Sequence, residues 1–313
     1  MEGDEHKIKN SIIRRNLTGS ILKNHYRPII TNLCDSLVNE LYQKKSFEFT
    51  SNFGKKFSLL TTFNLISISH ERIDWFLERL SAIASFATGF ELTEEKIQAA
   101  LLASEELEVA ILELISERRS HPGNDIISFI INKNDSHDQL SDSEIVTLSL
   151  NILLAASEPV DKVLANCIYY LYRNRNCIDH LAEGSCSYHS VVQESLRLSP
   201  PVHLIPRLIE NNTCFEGINL KEGNLIFCLI PSANRDDKYF YAPNNFDPLR
   251  KFKRHISYGA GMHTCIGAQF ANMQLSIALQ KLTPVVEKYK EVKPPEFGGI
   301  YTRGATKYFL ERI

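Results

Sequence analysis

A mainly α-helical protein with a small β component is the fold class that this 313-residue sequence predicts. Two observations carry the prediction. Apolar residues recur at spacings of three and four over most of the chain, the period of a helix that buries one face. Strand-like runs are few and short, and they fall only in the last part of the chain.

The elements follow in order. Ile29, Leu33, Leu37 and Leu41 form a stripe at spacing four, with Lys44 and Lys45 at its C-terminal end. Ile73, Phe76, Leu80, Ile83 and Phe86 make a second stripe before Gly89. Thr93 reads as an N-cap with Glu94 and Glu95 at the positive end of the dipole, although Lys96 stands where a capping box wants Glu or Gln. That helix should reach about Arg119, before the His121-Pro122-Gly123 breaker. Ser141-x-x-Glu144 fits a capping box and opens a helix to about Tyr172, with a break expected at Pro159. A last long helix should run from near Gly267 to about Leu282, with Pro284 as its stop. Strands are expected at His203–Ile209, Thr213–Phe215, Asn224–Ile230 and Thr306–Leu310. Nothing divides the chain, so residues 1–313 read as one domain.

Composition excludes several functions. The apolar share is 43% and the charged share 23%, with a net charge of −2 and a pI near 6.6. Such a balance gives no bulk electrostatic case for nucleic acid or a membrane surface. The longest apolar stretches are too short to span a bilayer, and MEGDEHKIKN lacks the apolar core of a secretory signal. A cytoplasmic location is expected. Seven cysteines form neither a CxxC pair nor a zinc spacing, which suits a reducing compartment. Six are expected to act as small, partly buried apolar residues.

The seventh, Cys265, has different surroundings. It sits in Tyr258-Gly259-Ala260-Gly261-Met262-His263-Thr264-Cys265-Ile266-Gly267, immediately before the last long helix. Gly259, Gly261 and Gly267 permit a tight turn and close backbone approach to a flat ligand. A loop-to-helix junction offers N–H groups and a dipole that favour thiolate. A glycine-rich turn beside an inert cysteine is the alternative. Upstream, Glu194 and Arg197 at spacing i, i+3 share one helix face and can pair.

This loop resembles the cysteine loop of cytochromes P450, Phe-Gly-x-Gly-x-His/Arg-x-Cys-x-Gly, with Tyr258 in place of the aromatic Phe. Glu194-Ser195-Leu196-Arg197 is similar to the family's Glu-x-x-Arg helix, and Leu198–Pro201, Arg207, Ala233-Asn234-Arg235-Asp236 and Phe246-Asp247-Pro248 follow in family order. The resemblance implies a P450 fold with haem b, Cys265 as ligand to the iron, and Glu194 with Arg197 as a structural clamp. It also implies that Arg207, His263 and His6 hold the haem propionates, within a loop shaped by Tyr258, Gly259, Gly261 and Gly267. Glu158 matches the acid of the family's central-helix motif, whereas Pro159 replaces the threonine that follows it. Asn245 stands where many members place an arginine against the clamp.

The implied function is a mono-oxygenase that oxidises a small apolar or carrier-bound metabolite, using oxygen and electrons from a ferredoxin or other donor. Lys7, Lys9, Lys253 and Arg254 are the cations expected at the donor's docking face. Three alternatives stay open: peroxide as oxidant, a dehydration or rearrangement, and a non-catalytic P450-like partner. The match begins at His6, so a fold lacking its first N-terminal elements is expected, with an open substrate side that a protein partner could cover.

Overall fold

The computed structural model describes residues 3–88, 92–132, 140–251 and 253–313. Gly89, the expected end of the second stripe, lies outside the described residues. The helices in chain order are α1 (Gly3–Asn16), α2 (Gly19–Ile21), α3 (Arg27–Tyr42), α4 (Lys55–Ile66), α5 (Ile73–Thr88) and α6 (Glu94–Ser120). They continue as α7 (Ile126–Ile131), α8 (Asp142–Ser157), α9 (Pro159–Arg173), α10 (Asn176–Glu183), α11 (Tyr188–Leu198), α12 (Ile230–Ala233) and α13 (Ala268–Lys288).

The stripe at spacing four becomes α3, whose Ile30, Cys34, Leu37, Val38 and Leu41 are buried. It packs on α13, which also packs against α9 and α11 and buries Leu275, Ala278, Leu279 and Leu282. The caps form as the sequence suggests. Thr93 accepts from the Lys96 N–H, and Ser141 and Glu144 close a full capping box.

Pro159 breaks the long central helix into α8 and α9 at Glu158. A proline lacks the N–H that continues the helical ladder, so carbonyls of the preceding turn lose partners. Ser58 of α4, fully buried, compensates by donating its hydroxyl toward the carbonyls of Ala156 (3.0 Å) and Ser157 (2.9 Å).

The strands are β1 (Ser46–Glu48), β2 (Leu204–Leu208), β3 (Thr213–Phe215), β4 (Ile218–Leu220), β5 (Leu225–Leu229), β6 (Tyr289–Glu291), β7 (Glu296–Gly298), β8 (Gly304–Lys307) and β9 (Phe309–Arg312). All pairings are antiparallel: a three-stranded β1-β9-β6 sheet and the ribbons β2-β5, β3-β4 and β7-β8.

Three expectations need correction. The last helix does not stop at Pro284 but runs on to Lys288. The carbonyl that proline cannot serve belongs to Gln280, which is exposed and open to water, while buried Val285, Val286 and Tyr289 hold the final turn in the core. The single strand expected over Thr306–Leu310 is two strands, because Tyr308 turns its backbone toward Glu48 and Phe49 (2.8 and 2.7 Å). Cys214 and Cys228 are exposed rather than buried, on the two-stranded ribbons β3-β4 and β2-β5.

Candidate functional site

The Cys265 loop is held by its own backbone. Gly259 and Gly261 adopt φ of 72° and 77°, the left-handed region that disfavours side chains, and the Cys265 N–H returns to the Tyr258 carbonyl at 2.8 Å. Cys265 then sits three residues before α13 begins, with Gly267 as N-cap. The cysteine is exposed, yet the surrounding protein raises its thiol above the ordinary value, while the Gly267 N–H pulls in the opposite direction.

His6 and His263, 257 positions apart in sequence, meet with ring centroids 4.4 Å apart. His6 is buried and its Nδ1 has no hydrogen-bond partner. A buried polar atom left unpaired costs about 1–3 kcal/mol, so this nitrogen marks a place built for a further group. Arg207 lies on β2, exposed, with one guanidinium nitrogen donating to the Pro206 carbonyl at 2.8 Å.

Glu194 and Arg197 form a buried, bidentate pair at 2.8 and 2.7 Å, 5% and 2% exposed. Arg197 also donates to the carbonyls of Asn234 (3.0 Å), Pro243 (2.7 Å) and Asn245 (3.1 Å), so all five of its N–H groups are used. Asn245 does not leave the clamp one cation short. Arg250 reaches Glu194 at 3.2 Å, and Asn245 contributes its carbonyl instead.

The clamp connects to the cysteine loop through groups that spacing does not reveal. Asn234 donates to Ser257 Oγ and accepts from the Ile256 N–H, both at 2.9 Å, while Ser257 Oγ donates to the Leu196 carbonyl. Asn272 of α13 accepts from both Tyr258 Oη (2.8 Å) and Gln193 Nε2 (2.9 Å). Tyr258 thus ties the loop to α11 and α13, a role beyond filling an aromatic position.

At the break between α8 and α9, Glu158 lines a cleft of about 680 Å³ that opens between α4, α5, α8, α9 and the β7–β8 ribbon. Its apolar wall includes Leu59, Leu77, Leu80, Leu154 and Ile300. Glu158 Oε1 accepts from Lys162 Nζ at 2.8 Å and from Thr302 Oγ1 at 3.2 Å. Asp161, one turn on and 2% exposed, is pushed up to about 6 by burial, against the pull of Lys162. Sequence reasoning missed Asp161, Lys162 and Thr302; only a charged triplet inside an otherwise apolar helix hinted at the first two.

The raised Asp161 has a testable consequence. A native value above the unfolded one makes stability fall as pH rises from about 4 to 6, and then level off. Asp161→Asn should therefore be more stable than the parent at pH 7 by on the order of 3 kcal/mol, converging with it near pH 4. Paired denaturation curves at the two pH values measure this, and an equal difference at both would refute it.

The expected docking cations separate. Lys9 is tied to Glu144 of α8 at 2.7 Å with its side chain 13% exposed, and it helps to pull Glu144 down to about 2. It serves the fold and is withdrawn from the docking set. Lys7 pairs with Asp4 at the surface, Lys253 lies against Tyr239, and Arg254 is exposed. No helix among the described residues is long and apolar enough to cross a membrane.

The family model described as cytochrome P450 matches residues 188–290, which include the clamp and the cysteine loop. The chain is 32% identical to pulcherriminic acid synthase of Bacillus subtilis (strain 168), over 97% of this chain and 78% of that protein. Among solved structures, a versatile cytochrome P450 enzyme from Bacillus subtilis superposes with a TM-score of 0.89 at 24% identity, covering 99% of this chain and 85% of that one. P450BioI in complex with an acyl carrier protein bearing hexadec-9Z-enoic acid superposes at 0.92 and 20% identity, covering 100% and 81%.

Proposed function

The chain belongs to the cytochrome P450 family of oxidoreductases and uses haem b, and from that premise we propose that it is a mono-oxygenase acting at Cys265. The observation that carries the reading is the His6–His263 pair beside the cysteine loop, with a buried, unpartnered nitrogen on His6. Haem carries two carboxylates, and cationic or N–H donors are what they require. The residues present fit the group.

In this reading Cys265 would be the thiolate ligand to the haem iron, whose charge would favour the thiolate. His6, His263 and Arg207 would hold the propionates. Tyr258, Gly259, Gly261 and Gly267 set the loop's shape, and Glu194 with Arg197 fixes the segments behind it. When bound, haem supplies the two-electron activation of oxygen: substrate–H + O2 + 2 e− + 2 H+ gives substrate–OH + H2O. Glu158 is the proton-holding acid at the cleft. Residues 1–313 act as one haem domain in the cytoplasm, taking electrons from a ferredoxin-type donor. The apolar wall of the cleft supports a small, largely apolar substrate, free or carrier-bound, and a partner protein could cover its open side.

A second reading, with peroxide as oxidant or with a dehydration or rearrangement, is favoured by Pro159, which offers neither hydroxyl nor N–H. Turnover with a surrogate ferredoxin under isotopically labelled O2 separates the readings. The mono-oxygenase reading expects one labelled atom per product. Unlabelled product, or product formed only with peroxide, contradicts it.

A further inference from the structure

The broken helix lacks an alcohol next to its acid, yet a hydroxyl reaches that acid from elsewhere. Thr302, 144 positions away in the turn between β7 and β8, donates to Glu158 Oε1. Ser157, the other hydroxyl at the break, is turned back onto the Leu154 carbonyl at 3.3 Å.

Two local features hold Thr302 in place, and a third admits Lys162. Gly299 has φ of 91°, and a Cβ there would stand 1.8 Å from the Thr302 carbonyl oxygen, so only glycine lets the turn fold this tightly. The segment also bridges to the chain leading into β2: Val202 pairs with Thr302, and the His203 and Arg303 N–H groups bond across at 2.7 Å each. Finally, a Cβ on Gly304 would fall 2.3 Å from Lys162 Cγ, so the bare backbone makes room for the lysine stem crossing it. The same ribbon therefore places Thr302 and lets Lys162 approach. Both donors converge on Oε1, which leaves Oε2 outside these two bonds.

We propose that Thr302 is the positioning residue for Glu158, a hydroxyl supplied by the β7–β8 turn in place of the one missing at Pro159, with Lys162 as the second anchor. The proposal rests on the reading of Glu158 as the proton-holding acid. Lys162 and Thr302 fix the carboxylate through Oε1, and a proton is held and released at Oε2. Oxygen reduction consumes two protons from this side, whereas peroxide brings its own, so positioning matters only for the first.

The test compares Thr302→Val, Thr302→Ser, Glu158→Gln and the double variant Thr302→Val/Glu158→Gln as haem-loaded proteins. Thr302→Val should lower product per electron consumed on the order of tenfold with O2 and leave peroxide-driven turnover unchanged. Thr302→Ser should restore coupling, and Thr302→Val should add nothing on top of Glu158→Gln. A readout independent of turnover is the infrared carboxylate stretch of Glu158 in the resting protein, assigned by its loss in Glu158→Gln. It should shift in Thr302→Val and return in Thr302→Ser. Thr302→Ala serves as a second hydroxyl-free variant if the valine form loses haem or thermal stability. Unchanged coupling in Glu158→Gln overturns the acid reading itself. Reduced coupling in Glu158→Gln with normal coupling and an unshifted band in Thr302→Val overturns the Thr302 proposal alone, as does an additive loss in the double variant.

Discussion

Glu194→Ala is expected to cost on the order of 3–5 kcal/mol and most of the bound haem. The substitution leaves the Arg197 guanidinium buried with two of its five N–H groups unpaired, and strips Arg250 and the Asp247 N–H of their shared acceptor. Breaking a buried pair from one side is far more damaging than replacing both partners, because the stranded charge has no water to turn to. For a chain of this size that loss lowers the thermal midpoint on the order of 5–10 °C. Haem should fall with it, because Arg197 holds Asn234, and Asn234 holds Ser257 and Ile256 at the entrance to the cysteine loop. Thermal melts and the ratio of haem to protein check both parts. A variant with parental midpoint and haem content would show that the pair carries neither load.

What the sequence made legible was local. Ser141 and Glu144 announce a cap because the capping box lies within four residues, and Glu194 and Arg197 announce a pair because helical spacing puts them on one face. The cysteine loop is readable for the same reason, since its glycines and its junction with α13 are contiguous. Pro159 showed where the central helix breaks, although not that Ser58 would serve the carbonyls freed there. Illegible features depend on chain crossings. No spacing rule joins Thr302 to Glu158, Arg250 to Glu194, or His6 to the ring of His263. Three-residue strands such as β1 and β6 carry too little alternation to register, and exist because β9 lies between them. The proline at 284 misled because the carbonyl it cannot serve belongs to Gln280, an exposed residue, while the final turn is held by buried side chains.

Cys265→Ala should eliminate thiolate ligation entirely while leaving the fold. The residue is exposed, so the melting midpoint of the haem-free protein should move little. Its sulfur is nevertheless the group that the loop's two left-handed glycines, the Tyr258 carbonyl and the α13 terminus all position. Cys214 and Cys228 are the other exposed cysteines, but they sit on the two-stranded ribbons β3 and β5 with no comparable cradle. They cannot take over without rebuilding that part of the chain. Haem uptake should therefore drop sharply, and any haem retained should be bound without sulfur. The direct measurement is the absorption spectrum of the reduced protein under carbon monoxide, parent against Cys265→Ala. The parent should show the red-shifted band of a thiolate-bound iron and the variant should show none. A thiolate-type band that persists in Cys265→Ala, or is missing from a haem-loaded parent, would contradict the assignment of Cys265 as the ligand.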